Sequence, residues 1–398
     1  MVNEIINSKT LAYVNKIPVL SRDVDSFCFK ADHFIDIVNY SKDIFSITQI
    51  FACLVRKKSF VVFDDSWPDS HKDHFKSLLV NVPESVPVVL IATSGSTGMP
   101  KLVCHPLENL FKAAQKAIDQ AAIESSDSIL LSLSPSSMGG LLTIVKAFLS
   151  GAILYLNSDH WSHLLAASIT NWHLMLVPQQ LDYFIKNCPT QAACIKSILV
   201  GGDAVPYKLK QRLLDLNVPV ILSYGATETC GQVLAAQNNN LNDFKPLPNV
   251  QIKNHDARLL IKTDTLALGY ITQSGIEALP VTNDYFITND LVEFTPVFNV
   301  IGRVDFQFQS GAKLVSPEFI EQRIIQSGFV KHVVIIPQAH SKFGQVPIAY
   351  VSNDVNLDQL KLFCKSELPI FMQPSDYIVL NDHFDFSQAN IRHLLQNF

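Results

Sequence analysis

The nine residues from Thr93 to Lys101, TSGSTGMPK, hold hydroxyls, two glycines and one lysine directly after the apolar run VPVVLIA. Small residues let backbone amides approach an anion closely, and a fixed lysine adds a full charge, so the stretch is suited to phosphate. It is not a Walker A loop: counting from Gly95, Pro100 stands where the second glycine belongs and Leu102 where the magnesium hydroxyl belongs. Nor is it a dinucleotide fingerprint, because no G-x-G-x-x-G occurs in the chain. A second segment, SYGATETCG (Ser223 to Gly231), puts a tyrosine, a glycine, a threonine and an acid in order after an apolar run, an arrangement that packing alone does not explain. His105 follows the loop closely, but a lone histidine at a helix start reads as structural. The other histidines show no metal-ligand spacing.

The elements that must carry these segments alternate. Short apolar strands such as KSFVVFDD, SILLSLS, AILYLN, LMLVP, SILVGG and VPVILSYG are separated by helical stretches such as NLFKAAQKAIDQAA and GLLTIVKAFLSG, the latter closed by Gly151. That alternation predicts an α/β fold, a largely parallel sheet covered on both faces. Beyond about Pro246 the pattern turns to hairpins, forming a small β-barrel-like part, and from Val304 a compact α+β pattern appears. We therefore expect a large domain over residues 1–303, shortened at its N-terminus, and a small mobile domain over 304–398. At 398 residues, 48% hydrophobic and 17% charged, the chain is globular. A net charge of −5 gives no basic footprint for nucleic acid. Seven scattered cysteines without a CxxC pair point to reduced thiols in the cytoplasm. No membrane span or secretory signal is expected.

Together these segments resemble the adenylate-forming superfamily of acyl-CoA synthetases, peptide-synthetase adenylation domains and luciferases. TSGSTGMPK is similar to its phosphate loop, SYGATETCG to its Y-G-x-T-E motif, and ITNDLVEF to its T-G-D segment with Asn289 in place of glycine. GRVDFQFQSGAKLVSPEFIEQRI (Gly302 to Ile324) is similar to its hinge motif, and order and spacing agree over roughly residues 85 to 398. Within the superfamily, YGATETCGQV, LPVTNDYFITND and KFGQVPIAYV most resemble the o-succinylbenzoate–CoA ligase branch of menaquinone synthesis.

The resemblance implies two half-reactions. A carboxylate attacks the α-phosphate of ATP, releasing pyrophosphate, and a thiol, usually that of coenzyme A, then displaces AMP. It also implies roles. Thr93, Ser94, Gly95, Ser96, Thr97, Gly98 and Lys101 cradle the β- and γ-phosphates. Thr227 meets the α-phosphate, and Glu228 holds Mg2+, a hard cation that takes oxygen ligands. Tyr224, with Gly225 beside it, stacks on adenine opposite Gly201, Gly202 and Asp203. Asp290 takes the ribose hydroxyls, and Arg303 sits beside the ribose or phosphate as the charge partner. Asp305 is the hinge, and the Gln309–Lys313 loop, with Ser310, Gly311 and Lys313, faces the thiol tunnel.

Three departures bear on activity. Only 92 residues precede Thr93, fewer than the family carries, which could open the acid pocket or create a homodimer contact. The family's P-x-x-H-x-x-G-L reads PSSMGGL here, putting Ser137, Met138 and Gly139 at the acyl pocket, a lining that fits a different acid at least as well as o-succinylbenzoate. In the terminal SQANIRHLL, alignment on Arg392 and Leu395 leaves Ala389 where the adenylating lysine is expected. The expected function is thus an AMP-forming ligase joining a small carboxylic acid to CoA. The alternatives are an enzyme loading a carrier-protein thiol, or an impaired nucleotide-binding relative.

Overall fold

The computed structural model describes residues 10–15, 17–20, 35–93, 101–156, 170–237, 240–294, 298–381, 384, 386, 392 and 395. They form two compact units, the first running to Ile252 and resuming over Ile261–Phe286, the second made of Lys253–Leu260 and Ile287 onward.

The first unit is built on two sheets. One has nine strands, and its parallel heart runs in the order Val220–Ala226, Ile195–Val200, Trp172–Leu176, Ser128–Leu131, Ile153–Leu156 and Thr10–Val14. Antiparallel strands Gly231–Gln237 and Ile17–Leu20 flank that heart, with Lys245–Pro246 beyond the former. The other sheet has six strands: Ile35–Tyr40, Ser59–Asp64 and Val88–Thr93 are parallel, and Lys101–Pro106, Gly269–Thr272 and Gly275–Ala278 continue it antiparallel.

Alternation along each strand sends side chains to opposite faces, and the packing follows that period of two. Phe60 and Val62 join a core shared with Ile129, Leu131 and Leu154 of the larger sheet, while Val61 and Phe63 pack behind with Phe75 and Leu78. The helices Ile44–Val55, Leu107–Ala121 and Met138–Ser150 supply the shared core and so lie between the sheets. Leu130, Trp172 and Leu174 turn the other way, toward helices Pro178–Asn187 and Tyr207–Asp215. Each fully buried Phe or Leu here contributes about 1.5–3 kcal/mol. The Met138–Ser150 helix is apolar nearly all round because both its sides are covered. It ends at Gly151 with φ 75°, the left-handed cap expected from the sequence.

Deep in this unit is an arrangement that no motif in the sequence signals. The Asp127 carboxylate meets His173 Nε2 at 3.0 Å, and His173 Nδ1 meets Ser197 Oγ at 2.7 Å. Acid, imidazole and hydroxyl stand in the order of a nucleophilic triad, yet their exposures are 0%, 0% and 3%. No substrate reaches such a serine. The Glu124 N–H and Lys196 Nζ reach the same Asp127 oxygen, Oδ2, at 2.8 and 2.9 Å, so the network pins neighbouring strands together.

In the second unit, Phe308–Ser310, Lys313–Val315, Gly344–Ser352 and Val333–His340 form an antiparallel sheet, with Asp376–Leu380 added parallel to Gly344–Ser352. Helices Pro317–Gln326 and Leu357–Glu367 cover one face through Ile320, Ile324, Leu360 and Cys364. The strands Tyr285–Glu293 and Asn299–Arg303 pair antiparallel, as the hairpin pattern predicts. The terminal helix expected over SQANIRHLLQNF falls mostly outside the described residues, which include only Arg392 and Leu395 there. Among the described residues no helix is long and apolar enough to cross a membrane, and the six described cysteines are unbridged.

Candidate active site

Strands Val88–Thr93 and Lys101–Pro106 pair in a register that sets Thr93 against Lys101, so they hold both ends of the phosphate-loop sequence together. Ser94, Gly95, Ser96, Thr97 and Gly98 lie outside the described residues. Lys101 is described: its Nζ sits 4.9 Å from the centroid of the Tyr270 ring.

The Y-G-x-T-E residues form a tight reversal. Val220–Ala226 ends in a single 3-10 turn, Thr227–Thr229, and the chain returns as Gly231–Gln237 through two left-handed residues, Cys230 at φ 60° and Gly231 at φ 84°. Gly225 has no alternative, since a Cβ there would lie 1.9 Å from the Gly231 carbonyl oxygen.

All three carbonyls of the turn are held from other segments. His105 Nε2 donates to Thr227 O at 2.7 Å, Ala267 N–H to Glu228 O at 2.8 Å, and Thr265 Oγ1 to Thr229 O at 2.9 Å. With its backbone fixed on the inside, the turn leaves Thr227 and Glu228 half-exposed. Glu228 Oε1 accepts from Tyr270 Oη at 2.7 Å.

His105 is therefore structural, as its sequence context suggests. Burial pushes its pKa down to about 4, and because a carbonyl can only accept, Nε2 carries the proton of the neutral ring. A base neutral when buried stabilises the fold fully above its unfolded pKa near 6.5, and that contribution is lost as pH falls toward about 4. His105→Ala should lower stability by about 2–4 kcal/mol through the cavity and the lost hydrogen bond to the Thr227 carbonyl, which keeps only the Cys230 N–H at 3.0 Å. Chemical denaturation near neutral pH measures that loss, and a loss under about 0.5 kcal/mol would contradict it.

Gly201, Gly202 and Asp203 follow the strand Ile195–Val200, which neighbours Val220–Ala226. A Cβ at Gly201 would lie 3.2 Å from that of Ser223, so this turn and the Tyr224 segment meet at the carboxyl ends of parallel strands. Ligands of open α/β sheets gather at that edge. Asp203 is exposed and caps the Ala204 N–H at 2.7 Å.

The three residues expected at the acyl pocket have distinct fates. Ser137 is the N-cap of the Met138–Ser150 helix: its Oγ accepts from Gly140 N–H at 3.3 Å and donates to Ser134 O at 2.7 Å. Met138 is buried with its sulfur 3.9 Å from that of Cys230, directly behind the Thr-Glu turn. A Cβ on Gly139 would lie 3.1 Å from Leu133 Cδ1. A cleft of about 840 Å3 opens beside Lys116, Gln237 and Lys245. It lies at the far end of the Gly231–Gln237 strand, and its lysines 112, 116 and 245 are all in ion pairs.

In the second unit, Asp290 and Arg303 are cross-strand partners. Arg303 Nη1 reaches Asp290 Oδ1 at 3.1 Å, and its Nε and Nη2 grip both oxygens of Asp305 at 3.0 and 2.9 Å. One rigid fork thus holds the two carboxylates expected at the ribose and at the hinge. The Phe306 ring carries two guanidinium groups, Arg303 at 5.8 Å and Arg392 at 5.1 Å. Ser310 and Lys313 face each other across a hairpin whose turn, Gly311 and Ala312, is left-handed at φ 55° and 62°. Lys313 is exposed at its edge. Ala389 lies outside the described residues.

A layered α/β unit with a Thr-Glu turn and a phosphate-loop frame at one strand edge, followed by a small α+β unit, defines the adenylate-forming class of enzymes. The AMP-binding enzyme family model matches residues 44–271, and the chain belongs to that family. It is 30% identical over 307 residues to the 2-succinylbenzoate–CoA ligase of Haemophilus influenzae, covering 74% of this chain and 67% of that protein. With the ligase of the same name from Escherichia coli it shares 28% over 290 residues, covering 72% and 63% respectively. The alignments thus span about two thirds of these relatives' length. The fold matches that of the Bacillus subtilis o-succinylbenzoate–coenzyme A synthetase solved with ATP and magnesium ion, with a TM-score of 0.77 at 20% identity over 99% of this chain and 98% of that one.

Proposed function

We propose that the chain is an AMP-forming acid–CoA ligase whose acid is 2-succinylbenzoate. The observation that carries the ligase reading is the Thr227–Glu228 turn, immobilised at three successive carbonyls, with its carboxylate and the phosphate-loop lysine both in contact with Tyr270; the similarity to ligases named for 2-succinylbenzoate supports the choice of acid.

In the first half-reaction a carboxylate oxygen of the acid attacks the α-phosphorus of ATP, and the bond to the bridging oxygen breaks to release pyrophosphate. In the second, the coenzyme A thiol loses its proton and attacks the acyl carbon, expelling AMP. Most of the first barrier is charge crowding around phosphorus, so fixed positive groups and positioning supply the rate. Lys101 and the loop amides hold the β- and γ-phosphates, and the Thr227 hydroxyl faces the α-phosphate. Asp290 and Arg303 take the ribose, and Asp305 is the hinge about which the second unit turns.

Magnesium suits this residue set. Among the described residues no cluster of three or more His, Cys, Asp or Glu side chains could cage a metal, and magnesium bound with nucleotide needs only one or two carboxylates. Glu228 would be that ligand, and the ion would neutralise charge on the phosphates.

The test is pyrophosphate release from ATP and magnesium with 2-succinylbenzoate among a panel of acids, followed by detection of the CoA thioester. Release that depends on 2-succinylbenzoate is the expected result, and release with none of the acids would overturn the reading. A thioester formed only on a phosphopantetheinyl carrier protein would move the chain to the carrier-loading class. Ala389 favours one further reading, a relative slow in the first half-reaction. If the lysine absent there is the deficit, Ala389→Lys should raise pyrophosphate release about a hundredfold. An unchanged rate would mean another group supplies that charge.

A further inference from the structure

Tyr270 has no part in the roles assigned so far, yet it stands between the two charges on which the site depends. Its hydroxyl donates to Glu228 Oε1 at 2.7 Å, and its ring lies 4.9 Å from Lys101 Nζ. It sits on Gly269–Thr272, the strand paired with Lys101–Pro106, with Tyr270 opposite Val103. Three residues earlier, Ala267 N–H holds the Glu228 carbonyl at 2.8 Å, and Leu268 N–H holds the Cys104 carbonyl at 2.8 Å. One short segment therefore grips Glu228 at backbone and side chain together and is stitched to the strand that carries the lysine.

The chemistry of the phenol suits a spacer. A hydroxyl orients a carboxylate without cancelling its charge, and an aromatic face holds an ammonium without neutralising it. A direct contact between Lys101 and Glu228 would instead quench both charges, and the two side chains form no ion pair with each other. Ordering a glutamate before its ligand arrives also lowers the side-chain entropy lost on binding.

We propose that Tyr270 is a positioning residue that sets Glu228 for the cation and Lys101 for the phosphates while keeping the two apart. The inference rests on the reading of the site as one for magnesium and ATP.

The two halves of the role separate by mutation. Tyr270→Phe removes the hydroxyl and keeps the ring; Tyr270→Leu removes both. ATP binding to the full chain, measured calorimetrically with and without magnesium, reads each half. Tyr270→Phe should weaken binding with magnesium about tenfold and leave binding without magnesium unchanged, because only the bond to the charged carboxylate is lost. Tyr270→Leu should in addition weaken magnesium-free binding about threefold, through the lost cation–π contact. Thermal melting without ligand should be the same for wild type and Tyr270→Phe. Wild-type-like magnesium dependence in Tyr270→Phe overturns the proposal, and so does an equal loss with and without magnesium. A wild type that binds no ATP would instead overturn the functional reading beneath it.

Discussion

Glu228→Gln should lower pyrophosphate release about a hundredfold or more while leaving the fold intact, because it removes one full charge and almost no volume. The amide oxygen can still accept from Tyr270, and the backbone beneath it stays held by His105, Ala267 and Thr265. That anchoring sharpens the effect: the turn cannot shift to bring another oxygen into place. The glutamine remains shape-compatible but is a far weaker ligand for a hard divalent cation. The loss should fall on the rate at saturating ATP and acid more than on the acid's KM, since the charge acts on phosphorus and not on the acyl group. Unfolding stability should stay within about 0.5 kcal/mol of wild type. A steady-state pyrophosphate assay with a denaturation curve checks both, and an activity within threefold of wild type would remove Glu228 from the chemistry.

How much of this was legible beforehand depends on whether a feature is local. The layered fold was readable because each strand announces itself over four to seven residues, and because buried parallel strands such as SFVVFD are apolar on both faces. The Thr-Glu turn was readable because its glycine, hydroxyl and acid are consecutive. Tyr270 was not. Its importance arises only when Gly269–Thr272 pairs with Lys101–Pro106, and no periodicity in LALGYI reports that pairing.

The buried Asp127–His173–Ser197 network was hidden for the same reason, being assembled by strand register. Ser137 shows how one residue type serves two ends: a serine before an apolar helix is as well suited to capping as to lining a pocket, and its hydroxyl is engaged in the cap. The loop residues Ser94–Gly98 and position 389 keep their sequence-based roles as proposals.

Arg392 carries the largest stability effect expected in the second unit. Its Nη2 pairs with Glu321 at 2.7 Å, and its Nη1 donates to the Ile335 carbonyl at 2.7 Å. Glu321 also accepts from Ile335 N–H at 2.6 Å, so acid and guanidinium close a ring on one strand residue. Burial pushes Glu321 up to about 7 even with the arginine beside it, so removing the arginine pushes it higher still. An acid that holds its proton more tightly folded than unfolded makes stability fall as pH rises from the usual carboxylate range to its folded pKa. In Arg392→Ala that window extends further toward alkaline pH than in the wild type.

The variant should therefore lose about 3 kcal/mol at about pH 8, where burying an unpaired carboxylate is costly, and distinctly less at about pH 5, where Glu321 is protonated in both proteins. Replacing both partners, Arg392→Met with Glu321→Leu, should recover most of the alkaline loss, since apolar groups of similar volume need no partner. Denaturant titrations at the two pH values decide the matter, and an equal loss at both would mean that Arg392 acts through packing on Phe306 rather than through the charge of Glu321.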